Sequence, residues 1–157
     1  MEKDAILRRG HAALRRGRVS LPNQVYHLTT RTVGRTPIFA NPAAACVACR
    51  CFVDPATVGD AAMLAWVLMP DHAHWLLQLG ETEELESLMS RLKGTSAREV
   101  NAALGRQGAV WQKGFHDRAL RSDEDMQIVA RYIIANPLRG GLVERIGDYP
   151  YWNAAWL

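Results

Sequence analysis

Two apolar segments joined by a very short break constrain the fold of this chain more than any other feature. Residues 61–69, AAMLAWVLM, are continuously apolar, and residues 73–79, AHWLLQL, resume the pattern after Pro70-Asp71. A continuous apolar run of this length is typical of a strand that is buried on both faces. A break this short joins antiparallel neighbours. The sequence therefore predicts two adjacent antiparallel strands at the centre of a sheet.

Five further segments have the sequence features of strands and helices. Strands are expected at 24–33, which is rich in β-branched and aromatic residues, and near 115–121. Cap residues and helical spacing predict three helices: residues 41–56 with Asn41 as cap and Pro42 in the first turn, residues 82–104 with an interruption at Gly94, and residues 122–137 with a Ser122–Asp125 cap and a stop at Pro137. The order β-α-β-β-α-β-α predicts an α+β fold, a ferredoxin-like sandwich whose four-stranded, mainly antiparallel sheet has helices packed on it.

Length and charge indicate the domain organisation and the classes of partner. A chain of 157 residues can form one domain with a sizeable core, which we assign to residues 23–157. Residues 1–22 are expected to be a basic N-terminal arm, in which Arg15, Arg16 and Arg18 are candidate DNA-binding residues. The alternative for this arm is a solvated tail, because a net charge of +3 permits a polyanionic partner without requiring one.

The sequence favours a cytoplasmic protein that does not enter the membrane. No apolar leader is present at the N-terminus, and no apolar stretch is long enough to span a bilayer. The three cysteines lie together in CVACRC, and an odd number of cysteines does not indicate a secreted disulfide framework. Their C-x-x-C-x-C spacing suggests zinc, but no second ligand pair accompanies it, and the Ala-rich surroundings favour a helix in which thiols are small apolar side chains.

His72 and His74 interrupt the apolar pattern at the start of the second central strand. On a strand, residues i and i+2 point to the same side, so the two imidazoles would lie side by side, about 7 Å apart at the backbone. Ala73 would point into the opposite layer. Two such imidazoles on a rigid strand can bind a metal ion. The alternative is two independent histidines, one of them hydrogen-bonded to the backbone, and the H-x-H pattern does not distinguish the two.

Tyr132 and Asn136 form a second pair, far away in the sequence. They lie at i and i+4 of the last predicted helix, and therefore on one face of it. Asn136 can supply an oxygen ligand to a metal, and Tyr132 carries a hydroxyl one turn before it. The alternative is a half-buried tyrosine and an asparagine that ends a helix before proline.

Three separated motifs of this chain resemble one known family. MPDHAHWLLQ is similar to the histidine–hydrophobic–histidine signature of HUH endonucleases, and YHLTTRTVGRTPIF is similar to the first strand and loop of single-tyrosine, IS200-like transposases. The segment from Trp111 to Val143, followed by DYPYW, resembles the C-terminal half of the REP-associated tyrosine transposases. The resemblance runs in order from about residue 20 to the C-terminus, with Gly140-Gly141 where the family often has Ala-Gly and with a short tail after Trp152.

The resemblance implies a mechanism and a role for each matched residue. His72, His74 and Asn136 would bind a divalent metal, Mg²⁺ or Mn²⁺, and Tyr132 would be the nucleophile. The substrate would be single-stranded or hairpin DNA, nicked through a 5′-phosphotyrosine bond that can be resealed to another strand. Ligand softness favours Mn²⁺ or Zn²⁺ over Mg²⁺ for this donor set. Relatives outside the REP-associated group act as dimers, so this chain is expected to be a monomer or a homodimer.

Other basic residues are candidates for the DNA contact, and two other functions remain open. Arg31, which alternates with His27 on the first strand, is the candidate for phosphate contact. His27 would contact a metal ligand and orient it without binding the metal itself. Arg118 and Arg121 are further DNA-binding candidates, whereas Trp111 is expected in the core. The first alternative function is a hairpin-binding module without catalysis. The second is a metal-dependent hydrolase in which Asp71 activates water.

Overall fold

The two apolar segments form the centre of the sheet, as expected. In the computed structural model, which describes residues 20–156, they are the strands β2 (Ala62–Leu68) and β3 (His72–Gln78). These strands pair antiparallel, and the hydrogen bond from Met69 N to the carbonyl of His72 closes the turn between them. The predicted basic arm lies almost entirely outside the described residues, and so do Arg15, Arg16 and Arg18.

Three more strands extend the sheet on both sides of this pair. They are β1 (Val25–Arg31), β4 (His116–Ala119) and β5 (Trp152–Ala154), and the strand order is β4-β1-β3-β2-β5 with every pair antiparallel. The first four strands confirm the predicted ferredoxin-like arrangement. The fifth strand was not predicted, because it has only three residues and depends on pairing with Ala65–Val67 rather than on its own sequence pattern.

Two long helices cover one face of the sheet. They are α1 (Pro42–Val53) and α3 (Leu85–Leu104), with the single-turn α2 (Pro55–Val58) between them. As expected, the Asn41 side chain caps α1 by accepting hydrogen bonds from the N–H groups of Ala43 and Ala44. The predicted interruption at Gly94 is wrong: α3 continues through it, because Leu88 and Leu92 before this glycine and Val100 after it are buried in the core and hold the helix together.

The main core lies between these helices and one face of the sheet, which we call the core face. Its side chains from the central strands include Leu28, Ala73, Trp75 and Leu77, all essentially inaccessible to solvent. Trp111 also belongs to this core, as predicted, and its indole N–H donates to the buried Ser96 hydroxyl.

The opposite face of the sheet is covered in part by α4 (Met126–Ile134) and α5 (Asn136–Arg139). Ala130 and Ile133 of α4 pack there with Ala65, Val67 and Leu76 in a second, smaller core. The predicted start of this helix at Ser122 is wrong. The cap is Asp125, whose carboxylate accepts from the N–H groups at 127 and 128, so the acidic residues precede the helix. Within residues 20–156, no helix is both long and apolar enough to cross a membrane.

Candidate active site

Strand alternation places polar side chains from three neighbouring strands on the face that α4 partly covers. We call this the histidine face, and its polar members are His27, Thr29 and Arg31 of β1, His72 and His74 of β3, and His116 and Arg118 of β4. Thr29 lies opposite His74 across the strand pair, and Arg31 lies opposite His72. The rings of His72 and His74 lie side by side, with centroids 5.1 Å apart. The predicted pairing of the two imidazoles is therefore present in the structure.

His72 is held by a carboxylate from the turn before it. Its Nδ1–H donates to Asp71 Oδ1 over 2.7 Å, and Arg35 Nε donates to the other carboxylate oxygen over 3.1 Å. Thr32 binds the carbonyl of Asp71 through both its N–H and its hydroxyl. Partial burial would raise the pKa of Asp71, but the hydrogen bonds from His72 and Arg35 outweigh it and hold that pKa below its usual value. Asp71 is therefore ionised and directs Nε2 of His72 away from the turn.

His74 is partly buried and contacts β1. Its Nδ1 lies 3.0 Å from Nε2 of His27 and 3.1 Å from the Thr29 hydroxyl. Burial is the main cause that lowers the pKa of His74 to about 3, and the two neighbouring imidazoles and the Arg139 guanidinium act in the same direction. Burial, and after it Arg118, also lowers the pKa of His27. Both imidazoles are therefore neutral at physiological pH, which is the form that binds metals.

The helix carrying Tyr132 is interrupted before Asn136, which differs from the single helix that the spacing predicts. Pro137 has no N–H to give to the carbonyl of Ile133, so α4 ends at Ile134 and α5 begins at Asn136. The Asn136 side chain takes over this hydrogen bond, since its Nδ2 donates to the Ile133 carbonyl over 2.6 Å. The amide is thereby oriented, and Oδ1 is left as its atom for a ligand.

Two contacts hold α4 and α5 on the histidine face. Ala130 and Ile133 pack on it, and Gly140, directly after α5, lies against the end of β2: a Cβ at Gly140 would be 3.4 Å from the terminal methyl of Met69. Met69 precedes the turn that carries Asp71. The structure therefore places the helix that carries Tyr132 on the face that bears the two histidines. That Tyr132 and Asn136 meet the two imidazoles stays a prediction. The Tyr132 side chain is 63% exposed, so its hydroxyl is accessible to a macromolecular substrate.

The residues present fit a divalent metal ion. In both His72 and His74 the Nδ1 atom is already hydrogen-bonded, which leaves Nε2 as the ligand atom in each, and Asn136 can add an amide oxygen. In the part of the chain that the structure describes, no three or more histidine, cysteine or acidic side chains are grouped to bind a metal by themselves. A metal here would therefore keep positions for water and phosphate oxygens.

The predicted DNA-binding arginines differ in their surroundings. Arg31 is exposed on the histidine face beside His72. Arg118 lies on the same face opposite His27, and its Nη1 donates to both carboxylate oxygens of Glu124. Arg121 lies beyond the end of β4, 3.5 Å from the exposed Asp123 carboxylate. Arg31 and Arg118 therefore flank the histidines, whereas Arg121 does not belong to this group.

Arg35, Thr29 and Arg139 also belong to this site but were missed by sequence reasoning. Arg35 is brought in by the tertiary fold, and no local pattern marks it. Thr29 lies between His27 and Arg31 on the same face of β1, and this alternation could have revealed it. Arg139 follows Tyr132 by seven residues, two helical turns, and this spacing could have revealed it. Its guanidinium carbon lies 4.0 Å from the centre of the Tyr132 ring.

Comparison with known proteins adds a family to this geometry. The family model described as IS200-like transposase matches residues 20–136. A REP-associated tyrosine transposase of Escherichia coli K12 is 30% identical over 89 residues, covering 55% of this chain and 50% of the relative. A protein of Haemophilus influenzae with the same family name is 31% identical over 98 residues, which is 56% of each chain. The chain thus spans about half the length of these two curated relatives.

Two solved structures share the fold. One is a REP-associated tyrosine transposase bound to a REP hairpin, with a TM-score of 0.67 and 22% identity over 86% of this chain and 79% of that one. The other is a Deinococcus radiodurans protein described as a transposase, with a TM-score of 0.54 and 24% identity over 74% of this chain and 93% of that one. Both likenesses confirm the α+β architecture.

Proposed function

This chain belongs to the IS200-like transposase family, and we propose that it nicks single-stranded DNA and transfers the strand through a covalent bond to Tyr132. The observation that carries the proposal is the packing of α4 on the histidine face, which supports a site built from the exposed Tyr132 and from two imidazoles that are oriented by hydrogen bonds. Because a relative of the same fold is bound to a REP hairpin, we propose hairpin DNA with a single-stranded flank as the substrate. The proposed compartment is the cytoplasm, and the protein would act as a monomer or a homodimer.

The proposed reaction exchanges one phosphodiester for another and needs no water. The Tyr132 oxygen attacks the scissile phosphorus and forms the tyrosine–phosphate bond, while the bond from phosphorus to the 3′-oxygen breaks. The phosphate stays attached to the 5′-oxygen of the downstream strand. The phenol loses one proton, and the departing 3′-oxygen gains one and becomes a hydroxyl. Resealing is the reverse reaction with a different 3′-hydroxyl, so the energy of the phosphodiester is conserved.

Each group of the site has a part in this scheme. His72, His74 and Asn136 would hold the divalent metal, Mg²⁺ or Mn²⁺, with His27, Thr29 and Asp71 fixing the orientation of the two imidazoles. When bound, such a metal polarises the phosphate oxygens and stabilises the charge that develops on them. Arg31 and Arg118 would contact the phosphates of the flanking nucleotides, and Arg121 and the arm arginines would extend this contact.

The hydrolase alternative is less compatible with the geometry. A general base must be free to accept a proton, and a carboxylate with a lowered pKa accepts one poorly. Asp71 has one oxygen bound by His72 and the other by Arg35, and these hydrogen bonds hold its pKa below the usual value. A binding module without catalysis is the remaining alternative, and it is separated from the proposal by the formation of a covalent adduct.

The test is the capture of that adduct with the full chain. We expect a pool of hairpin oligonucleotides with randomised single-stranded flanks, incubated with Mn²⁺, to yield a protein–DNA species stable in SDS, with the phosphate on Tyr132 by mass spectrometry. Tyr132→Phe should reduce adduct formation by at least about 10³-fold, because the nucleophile is removed. Since Tyr132 is exposed, the variant should keep its fold and its DNA binding. Tight hairpin binding by the wild type without any adduct would instead support the binding module.

A further inference from the structure

We infer that Arg139 is a catalytic residue of this site, whose guanidinium binds the scissile phosphate as Tyr132 attacks it. The inference rests on the proposed function and adds a protein cation to the set of residues that the family motifs mark. It is carried by the contact of Arg139 with the Tyr132 ring and by the packing of the segment that carries both residues on the sheet.

The first observation is the contact with the nucleophile. The guanidinium carbon of Arg139 lies 4.0 Å from the centre of the Tyr132 ring, in a stacked cation–π arrangement. Because it stacks on the ring, the guanidinium lies close to the phenol oxygen of the same side chain. The reacting phosphorus must approach that oxygen. The contact also holds the Tyr132 ring, which is otherwise exposed, in one orientation.

The second observation concerns the segment that carries Arg139. Ala130 and Ile133, in the helix that carries Tyr132, pack with Leu76 of β3, which lies on the same face as His74. Gly140, the residue after Arg139, packs directly against Met69 at the end of β2, so the end of α5 is fixed beside the turn that carries Asp71 and His72. The segment that carries Arg139 is therefore fixed on the sheet beside the strand that bears the histidines.

The third observation is that Arg139 is not used in an ion pair. Among residues 20–156, five arginines form ion pairs with carboxylates: Arg35, Arg91, Arg118, Arg121 and Arg145. Arg139 forms none with a described carboxylate, and its side chain lies at an exposed position. Its charge is therefore available to an anionic ligand.

The chemistry explains why an arginine suits this position. The transferred phosphoryl group develops negative charge on its oxygens during in-line attack, and a planar guanidinium can donate to two of them at once. A lysine supplies the charge but neither the fork nor the flat surface that stacks on a ring. Loss of a single preorganised donor to such a transition state typically reduces the rate about 10²–10³-fold.

The experiment measures single-turnover adduct formation and DNA affinity separately, using the oligonucleotide that the wild type selects from the randomised pool. We expect Arg139→Ala to reduce the adduct rate about 10²-fold or more while the dissociation constant changes only a few-fold. Arg139→Lys should recover part of the rate, and added guanidinium ion should partly rescue Arg139→Ala but not Tyr132→Phe. Arg145→Ala is the matched control, since Arg145 is exposed and pairs with Asp148.

Three results would overturn the inference while leaving the proposed function intact. The first is an unchanged adduct rate in Arg139→Ala. The second is a loss of affinity as large as the loss of rate, which would make Arg139 a ground-state contact. The third is the combination of two findings: guanidinium ion does not raise the adduct rate of Arg139→Ala, and Arg139→Lys forms the adduct no faster than Arg139→Ala. If the wild type itself forms no adduct, the proposed function fails.

Discussion

The two faces of the central sheet are built by alternate residues of the same strands, yet they are filled in different ways. On the core face, Leu28 and Trp75 are closed off from solvent by two long helices, and the Trp75 ring meets the Phe52 ring edge-on with centroids 5.1 Å apart. On the histidine face, the helical cover is partial, and polar side chains bind one another rather than packing against apolar neighbours.

This difference shows how the fold separates support from chemistry. Ala73, between His72 and His74, is fully buried on the core face, so the backbone that carries both imidazoles is anchored by apolar packing on its other side. The site is therefore held rigid by residues that do not touch it. Changes on the core face should cost stability, whereas changes on the histidine face should cost metal binding or activity at nearly constant stability.

The largest expected effect on stability is Trp75→Ala, which should lower the free energy of unfolding by about 3–5 kcal/mol. The ring is fully buried, and its removal would leave a cavity between β3 and the helices. Urea unfolding followed by circular dichroism measures the change. Trp75→Phe should cost less, because among residues 20–156 the indole Nε1 of Trp75 is a buried donor without a hydrogen-bond partner.

The matched variant on the histidine face is His72→Ala, three residues before Trp75 on the same strand, β3. We expect it to change the free energy of unfolding by about 1 kcal/mol or less when measured without metal. An equal loss of stability in His72→Ala and Trp75→Ala would show that both faces support the fold, and the proposed separation would be wrong.

The next effect concerns the carboxylate that links the histidine face to the loop after β1. Asp71→Ala should weaken Mn²⁺ binding about 10–100-fold, because it removes the acceptor that orients His72 and leaves Arg35 unpaired. Isothermal titration calorimetry measures the affinity. Asp71→Asn keeps an acceptor oxygen and should retain more of the affinity than alanine does.

Asp123→Ala is a suitable control for Asp71→Ala, because Asp123 is a surface carboxylate that pairs only loosely with Arg121. Its Mn²⁺ affinity should equal that of the wild type. Equal affinity in Asp71→Ala would mean that the hydrogen bond to His72 does not support metal binding, and the metal would then have to lie elsewhere.

Much of the fold could be predicted, because local patterns decide it. The alternation in β1 separates His27 and Arg31 from Leu28, and the continuous apolar run of β2 indicates burial on both sides. The fifth strand and the uninterrupted α3 escaped prediction, since pairing with β2 and packing on the sheet override weak local signals.

The candidate site divides in the same way. His72, His74, Tyr132 and Asn136 carry a spacing or motif that sequence reasoning can read, and their roles stay predictions until an adduct and a metal are measured. The contacts of Asp71 with Arg35 and of Arg139 with Tyr132 depend on how the loop after β1 and the short α5 are folded back onto the sheet. The break at Pro137 also changes the geometry that an unbroken helix would give.

The smallest effect that we predict is a pH dependence that originates on the histidine face. The folded-state pKa of His74 is about 3, well below the 6.5 of an unperturbed histidine, so between these values the unfolded chain binds a proton that the folded chain does not. The free energy of unfolding should therefore fall as the pH decreases from 6.5, by up to about 1.4 kcal/mol per pH unit from this residue. Urea unfolding at pH 7.5, 6.5 and 5.5 with a chelator present measures the slope, and His74→Gln should reduce it.

Because His27 also has a lowered pKa and contacts His74, His74→Gln should leave a residual slope. An identical slope in both proteins would mean that His74 is not a partly buried neutral imidazole, and the environment that we assign to it on the histidine face would have to be revised.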